Sequence, residues 1–142
     1  MTSLHLALAV ALTITSSCTK VPAEYRDFFD LPADKRQEAL HRYSLEQRVD
    51  LLVLSMTVRR PISFDVADAV AESGKDIVPL MIERLRTARD EAEVSALLYG
   101  LLKIDQRVYE WRKAPELRAK FVQVVAATTD PARKARLEAL LN

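Results

Sequence analysis

The sequence predicts an all-α fold built from paired antiparallel helices, and three observations indicate this. Apolar residues recur three and four positions apart, in segments that begin at capping residues or prolines. No segment alternates between apolar and polar residues over the length of a strand. The 142 residues include only two glycines, which disfavours phosphate-binding loops and strand-rich folds with many tight turns.

The first helices follow an N-terminal tether. Tyr25, Phe28 and Phe29 lie on one face of a short helix that covers the end of the core. Pro32 begins a second helix, whose apolar face comprises Ala39, Leu40 and Tyr43.

A capping box over residues 44–47 predicts the start of the next helix, because Ser44 and Gln47 can satisfy each other's backbone N–H groups. This helix runs to Val58, is apolar on most faces, and should be the central buried helix. Two arginines and a proline at residues 59–61 end it.

The remaining helices have similar start signals. Ser63 can cap a helix that ends at residues 73–74, and an amphipathic helix follows over residues 77–85. Asp90 opens a helix with a broad apolar face through residue 104, and residues 109–113 form a linker turn. The last two helices begin at their prolines, Pro115 and Pro131.

Residues 74–85 carry a Gly, two apolar residues, a Pro and spaced Leu residues, a pattern that resembles the turn and second helix of a HEAT-type repeat. Residues 90–104 resemble the first helix of a following repeat, and the match covers residues 62–105. The resemblance implies one-sided helix pairs that cover their apolar faces by stacking in a right-handed array. A compact helical bundle without repeat ancestry is the alternative.

The N-terminus carries an apolar stretch over residues 4–14, followed by small residues and the single cysteine, Cys18. This layout resembles the signal of bacterial lipoproteins. It differs in two respects, since no Lys or Arg precedes the stretch and Thr15 stands where Leu is usual. The resemblance implies cleavage before Cys18 and acylation of its thiol, and Thr19 implies the outer membrane, facing the periplasm. Another exported or anchored form and an ordinary N-terminal helix with a buried cysteine are the alternatives.

The predicted organisation is therefore a signal peptide over residues 1–17, a tether over 18–24 and a HEAT-like all-α domain over 25–142. The chain has 21 Lys and Arg against 20 Asp and Glu, so it lacks the broad positive field of a nucleic-acid-binding protein. His41 is the only histidine after the signal, and no cysteine or histidine cluster suits a metal. We predict no catalytic residues, no metal and no cofactor.

Two groups of residues are candidates for a site. Arg84, Arg86 and Arg89, with Trp111, have the composition of a protein interface. Alternatively, the arginines provide ordinary solubilising charge, and Trp111 is a packed aromatic plug. Three acids share one helix face and suit a hard cation or a basic partner, or else form a solvated face: Asp65, Asp68 and Glu72.

These observations predict a non-catalytic, membrane-anchored lipoprotein that holds a protein partner at the surface of the bacterial envelope. An inhibitor or immunity-type protein, which blocks one toxin or envelope enzyme, is the alternative. An enzyme that uses the dispersed carboxylates at residues 65, 68 and 72 is a third hypothesis.

Overall fold

A computed structural model describes residues 21–58 and 62–142. These ranges contain eight α-helices and no strand, which confirms the predicted all-α fold. The helices are α1 (Ala23–Asp30), α2 (Ala33–Leu40), α3 (Leu45–Thr57), α4 (Phe64–Ala71), α5 (Val78–Thr87), α6 (Glu91–Arg107), α7 (Pro115–Ala127) and α8 (Pro131–Leu141). Short 3-10 turns, Gly74–Ile77 and Trp111–Lys113, precede α5 and α7. None of the described helices has the length and hydropathy needed to cross a membrane.

Side chains cap three helices at the predicted positions. At α3, the Gln47 backbone N–H donates to Ser44 Oγ at 3.2 Å, while the Ser44 N–H donates to Gln47 Oε1 at 3.0 Å. Asp90 accepts from the N–H of Glu93 at the start of α6, and Asp130 accepts from the N–H of Arg133 at the start of α8. Each cap satisfies an N–H group that has no partner within its own helix.

The start of α1 and the role of Ser63 differ from the predictions. Helix α1 begins at Ala23, so the last two residues of the predicted tether are helical. Ser63 precedes α4 but makes no side-chain capping hydrogen bond. Gly74 adopts a φ of +68°, which favours glycine and allows the chain to turn from α4 toward α5. The predicted signal peptide, Cys18 and residues 59–61 lie outside the described residues.

The helices pack in two rows. Contacts run from α2 to α4, α6 and α8 in one row, and from α3 to α5 and α7 in the other. Helix α3 also packs against both α4 and α6, which joins the rows. This order is compatible with both predicted arrangements, stacked pairs and a compact bundle.

Gly100 allows α6 to approach the other row closely. A β-carbon at this position would collide with Met81 Cε and would lie 2.7 Å from Leu52 Cδ2. Leu52 and Met81 are both fully buried, so α3, α5 and α6 meet at this point of the core. This close packing fixes α5 against α3 and thereby positions the side chains on the outer surface of these two helices.

Candidate functional site

Arg84 lies between two carboxylates of other helices. Its Nε donates to Glu93 Oε1 at 2.5 Å, and its Nη1 donates to Asp50 Oδ1 at 3.2 Å. The hydrogen bond to Glu93 raises the pKa of Arg84 above its usual value, and the charge of Asp50 adds to this effect. The guanidinium is therefore already neutralised, and it joins α3, α5 and α6 instead of being available to an anionic partner.

Tyr25 extends this network to α1. Its hydroxyl donates to Asp50 Oδ2 at 2.9 Å, while its ring is buried against Tyr43. Burial, followed by the hydrogen bond to Asp50, raises the pKa of the Tyr25 phenol well above its usual value. The phenol of α1 thus contributes a hydrogen bond to α3 that requires it to remain protonated.

We expect alkaline pH to weaken this hydrogen bond. An unfolded tyrosine titrates near pH 10. Because the pKa of Tyr25 is raised in the folded state, its contribution to stability is complete below that pH and falls as the pH rises further. Denaturant unfolding at a series of pH values should show a steeper loss above pH ~10 for the wild type than for Tyr25→Phe, by up to about 1.4 kcal/mol per pH unit. The other three tyrosines are common to both proteins, so equal slopes would refute this role of Tyr25.

Arg86 and Arg89 are exposed, unlike Arg84. Arg86 pairs with Glu83 one turn earlier on α5, with its Nε 2.9 Å from Glu83 Oε1. This hydrogen bond raises the pKa of Arg86 and lowers the pKa of Glu83. The side chain of Arg89 forms no hydrogen bond or ion pair within the described ranges, while its backbone N–H donates to Glu93 Oε2. Exposed ion pairs are weak, so Arg86 can exchange its partner.

Trp111 does not belong to this surface. It is 0% exposed, packs against Phe121 with ring centroids 5.2 Å apart in a tilted arrangement, and donates its Nε1–H to the Leu101 carbonyl at 2.9 Å. The prediction that Trp111 contacts a partner is therefore wrong, and its alternative, a packed aromatic plug, describes the structure. In the core the apolar ring is removed from water, while its N–H still has a hydrogen-bond partner in the Leu101 carbonyl.

Two grooves flank α5 on the face formed by the α3–α5–α7 row. The groove between α5 and α7 encloses about 560 Å³, has an apolar floor that includes Ile82 and Val124, and carries Arg86 and Lys120 on its rim. The groove between α3 and α5 is smaller, about 210 Å³. Its lining comprises Glu46, Val49, Asp50, Leu80, Glu83, Arg84 and Thr87. We call this surface the α5 face.

Asp65 and Asp68 of α4, with Glu72 directly after its end, connect helices of the other row. Asp65 accepts from Arg36 Nη1 of α2 at 2.9 Å, and Asp68 accepts from Arg107 Nη1 of α6 at 2.9 Å. Glu72 accepts from the side-chain amide of Gln37 at 2.7 Å. Each carboxylate is therefore engaged by a neighbouring helix, which supports a structural role over an interaction with an external cation.

Glu46 and Lys120 were not predicted as site residues, although both lie on the α5 face. The sequence does place three residues on one flank of α7, because they are three and four positions apart: Lys120, Gln123 and Ala127. Their proximity to α5 could not be predicted from this spacing, because it arises only in the fold. The exposed Phe64 was likewise not predicted as a site residue; its ring packs at a tilt against Tyr99, with centroids 5.4 Å apart.

The fold and this surface define a class, a small all-α domain with a grooved, charged helix face. Within residues 21–58 and 62–142, no group of three or more His, Cys, Asp or Glu side chains is placed to hold a metal ion. No protein-family model, curated protein or solved structure gives a significant match to this chain.

Proposed function

We propose that this protein is a non-catalytic interaction lipoprotein of the bacterial envelope, anchored through Cys18 and binding protein through its α5 face. The observation that carries the interaction role is the groove between α5 and α7, with its apolar floor and the exposed cations Arg86 and Lys120. Protein interfaces combine such an apolar centre with a polar rim. The engaged carboxylates of α4 support a role without catalysis.

The short distance along the chain from Cys18 to α1 supports an interaction at the membrane surface. Helix α1 begins at Ala23, five residues after Cys18. Even a fully extended chain spans at most about 18 Å over this distance. An acylated Cys18 would therefore hold the domain against the outer membrane on its periplasmic side, and a bound protein would lie close to the lipid.

Intact mass spectrometry of the membrane-extracted protein tests the anchor. We expect the mass of residues 18–142 plus acyl chains, and Cys18→Ala should abolish both the added mass and the membrane fractionation. His41→Ala, which lies outside the predicted signal, should behave as the wild type. A full-length, unmodified protein in the soluble fraction would contradict the lipoprotein proposal.

Site-specific photocrosslinking tests the interaction surface. A crosslinker at Gln123, in the α5–α7 groove, should give a defined adduct in cells, whereas one at the exposed Ala135 of α8 should not. Equal labelling from both positions would argue against the α5 face. A tight 1:1 complex with one toxin or envelope enzyme would favour the alternative inhibitor or immunity role.

A further inference from the structure

The two halves of the α5 face carry opposite charge. Acids line the groove between α3 and α5, where Glu46, Asp50 and Glu83 accompany a single cation, Arg84. On the other side of α5, the groove toward α7 carries Arg86 and Lys120 with Glu83 between the two halves. Neither Glu46 nor Lys120 forms an ion pair with any described residue, so one unpaired charge of each sign remains.

The directions of the helices place Glu46 and Lys120 on opposite sides of α5 and toward its opposite ends. Along α5, Met81 meets Leu52 of α3, whereas Arg84, three residues later, meets Asp50, so α3 runs opposite to α5. Glu46 precedes Asp50 by one turn of α3 and lines its groove together with Thr87, at the end of α5.

Helix α7 runs in the same direction as α5. The groove lined by Pro79, Ile82 and Lys120 continues into a depression lined by Leu85, Val124 and Asp130, so residue numbers rise together along both helices. Lys120 therefore lies toward the start of α5, on the side opposite to Glu46. A two-fold axis that lies in the contact plane over the middle of α5, perpendicular to the line from Glu46 to Lys120, exchanges the two positions.

We propose that the α5 face binds a second copy of this chain in a two-fold symmetric dimer. In such an isologous contact, the acidic half of one copy faces the basic half of the other. Lys120 of each copy then pairs with Glu46 of the second copy. The Glu83–Arg86 pairs lie near the axis and can exchange across it, while the floors of the grooves face each other and are shielded from water.

The size of the face suits a weak dimer. Helices of 10 to 13 residues are about 15–20 Å long, and three neighbouring helices span about 30 Å. Such a face buries about 500–600 Å² on each copy, near the lower limit for a specific interface. We therefore expect weak association, with a dissociation constant on the order of micromolar, and attachment to a membrane would raise the local concentration of both copies.

This inference rests on the proposed interaction role of the α5 face, but it does not depend on Cys18. Sedimentation equilibrium of the full chain carrying Cys18→Ala therefore tests it without acylation or a disulfide. We expect a reversible monomer–dimer equilibrium that weakens with salt. Lys120→Glu and Glu46→Lys should each raise the dissociation constant about ten-fold or more, because each places like charges opposite one another.

The double variant Glu46→Lys/Lys120→Glu should restore most of the lost affinity, since it reverses both members of each pair. Arg118→Glu is the matched control, because it makes the same charge change on the other flank of α7 and should leave the dimer unchanged. Circular dichroism confirms that each variant is helical. A monomer at every concentration, or an oligomer that responds equally to Arg118→Glu and Lys120→Glu, would overturn the proposal.

A third result would also overturn it. Association driven by the apolar residues 1–20 would persist in all charge variants and would not be rescued by the double reversal. Loss of the dimer in these experiments leaves the mass of the membrane-extracted protein unaffected. The dimer and the lipid anchor are thus refuted by separate measurements.

Discussion

Replacement of Trp111 by alanine is expected to lower the free energy of unfolding by about 3–5 kcal/mol. The indole is fully buried against Phe121, and its Nε1–H satisfies the Leu101 carbonyl inside the core. Alanine would leave a large cavity and would also leave that carbonyl without its side-chain donor. Chemical denaturation followed by far-UV circular dichroism measures the loss, since the variant lacks the only tryptophan fluorophore.

Two further variants test whether the loss of stability comes from the cavity and not from any substitution in this segment. Trp111→Phe keeps much of the apolar volume and should cost clearly less than alanine. Val108→Ala truncates a neighbouring side chain that is 48% exposed, and should change stability by no more than about 0.5 kcal/mol. If Trp111→Ala were as mild as Val108→Ala, the buried position of the indole would be wrong.

Replacement of Asp105 by alanine is expected to cost about 2–4 kcal/mol. Its carboxylate is 8% exposed, accepts from the backbone N–H and Nε of Arg112 at 3.1 and 2.8 Å, and lies 2.7 Å from Arg112 Nη2 in an ion pair. Arg112 also donates through Nη1 to the Leu140 carbonyl, so this pair joins the end of α6 to the end of α8. Since Arg112 is 30% exposed, water would partly solvate it in the variant, and the expected loss lies below that of a fully buried pair.

Glu110→Ala is the matched control, because it removes an acid from the same segment. Glu110 forms an exposed ion pair with Lys113, at 2.6 Å, and such pairs contribute no more than about 1 kcal/mol. Urea denaturation of both variants at neutral pH measures the difference. Equal losses for Asp105→Ala and Glu110→Ala would show that the contact with Arg112 does not stabilise the joint between α6 and α8.

Predictions of local structure from the sequence were mostly accurate. Ser44, Asp90 and Asp130 cap their helices as predicted, and Pro115 and Pro131 begin theirs. These signals act between residues three or four positions apart, so the sequence contains both members of each interaction. Ser63 is the exception, since the residue type suits a cap but its side chain makes no such hydrogen bond.

The predictions for the binding residues were less accurate, because the side chains that contact these residues come from distant parts of the chain. Arg84, Arg86 and Arg89 are close in sequence, but Arg84 is neutralised by Glu93 and by Asp50, which lie 9 and 34 positions away. Trp111 could equally have been an exposed contact or a buried plug, and Leu101 and Phe121 decide between them. The acids of α4 looked solvated in the sequence, yet Arg36, Gln37 and Arg107 of neighbouring helices bind them.

The sequence by itself determined the fold class, the helix starts and most of the buried faces, because capping and amphipathic periodicity act within a few residues of the chain. Only the tertiary structure decided which charges are already paired, and which remain available on the α5 face. Those pairings depend on how α1, α3, α5, α6 and α7 approach one another. That approach is set by close packing at points such as Gly100, where contacts join residues far apart in the sequence.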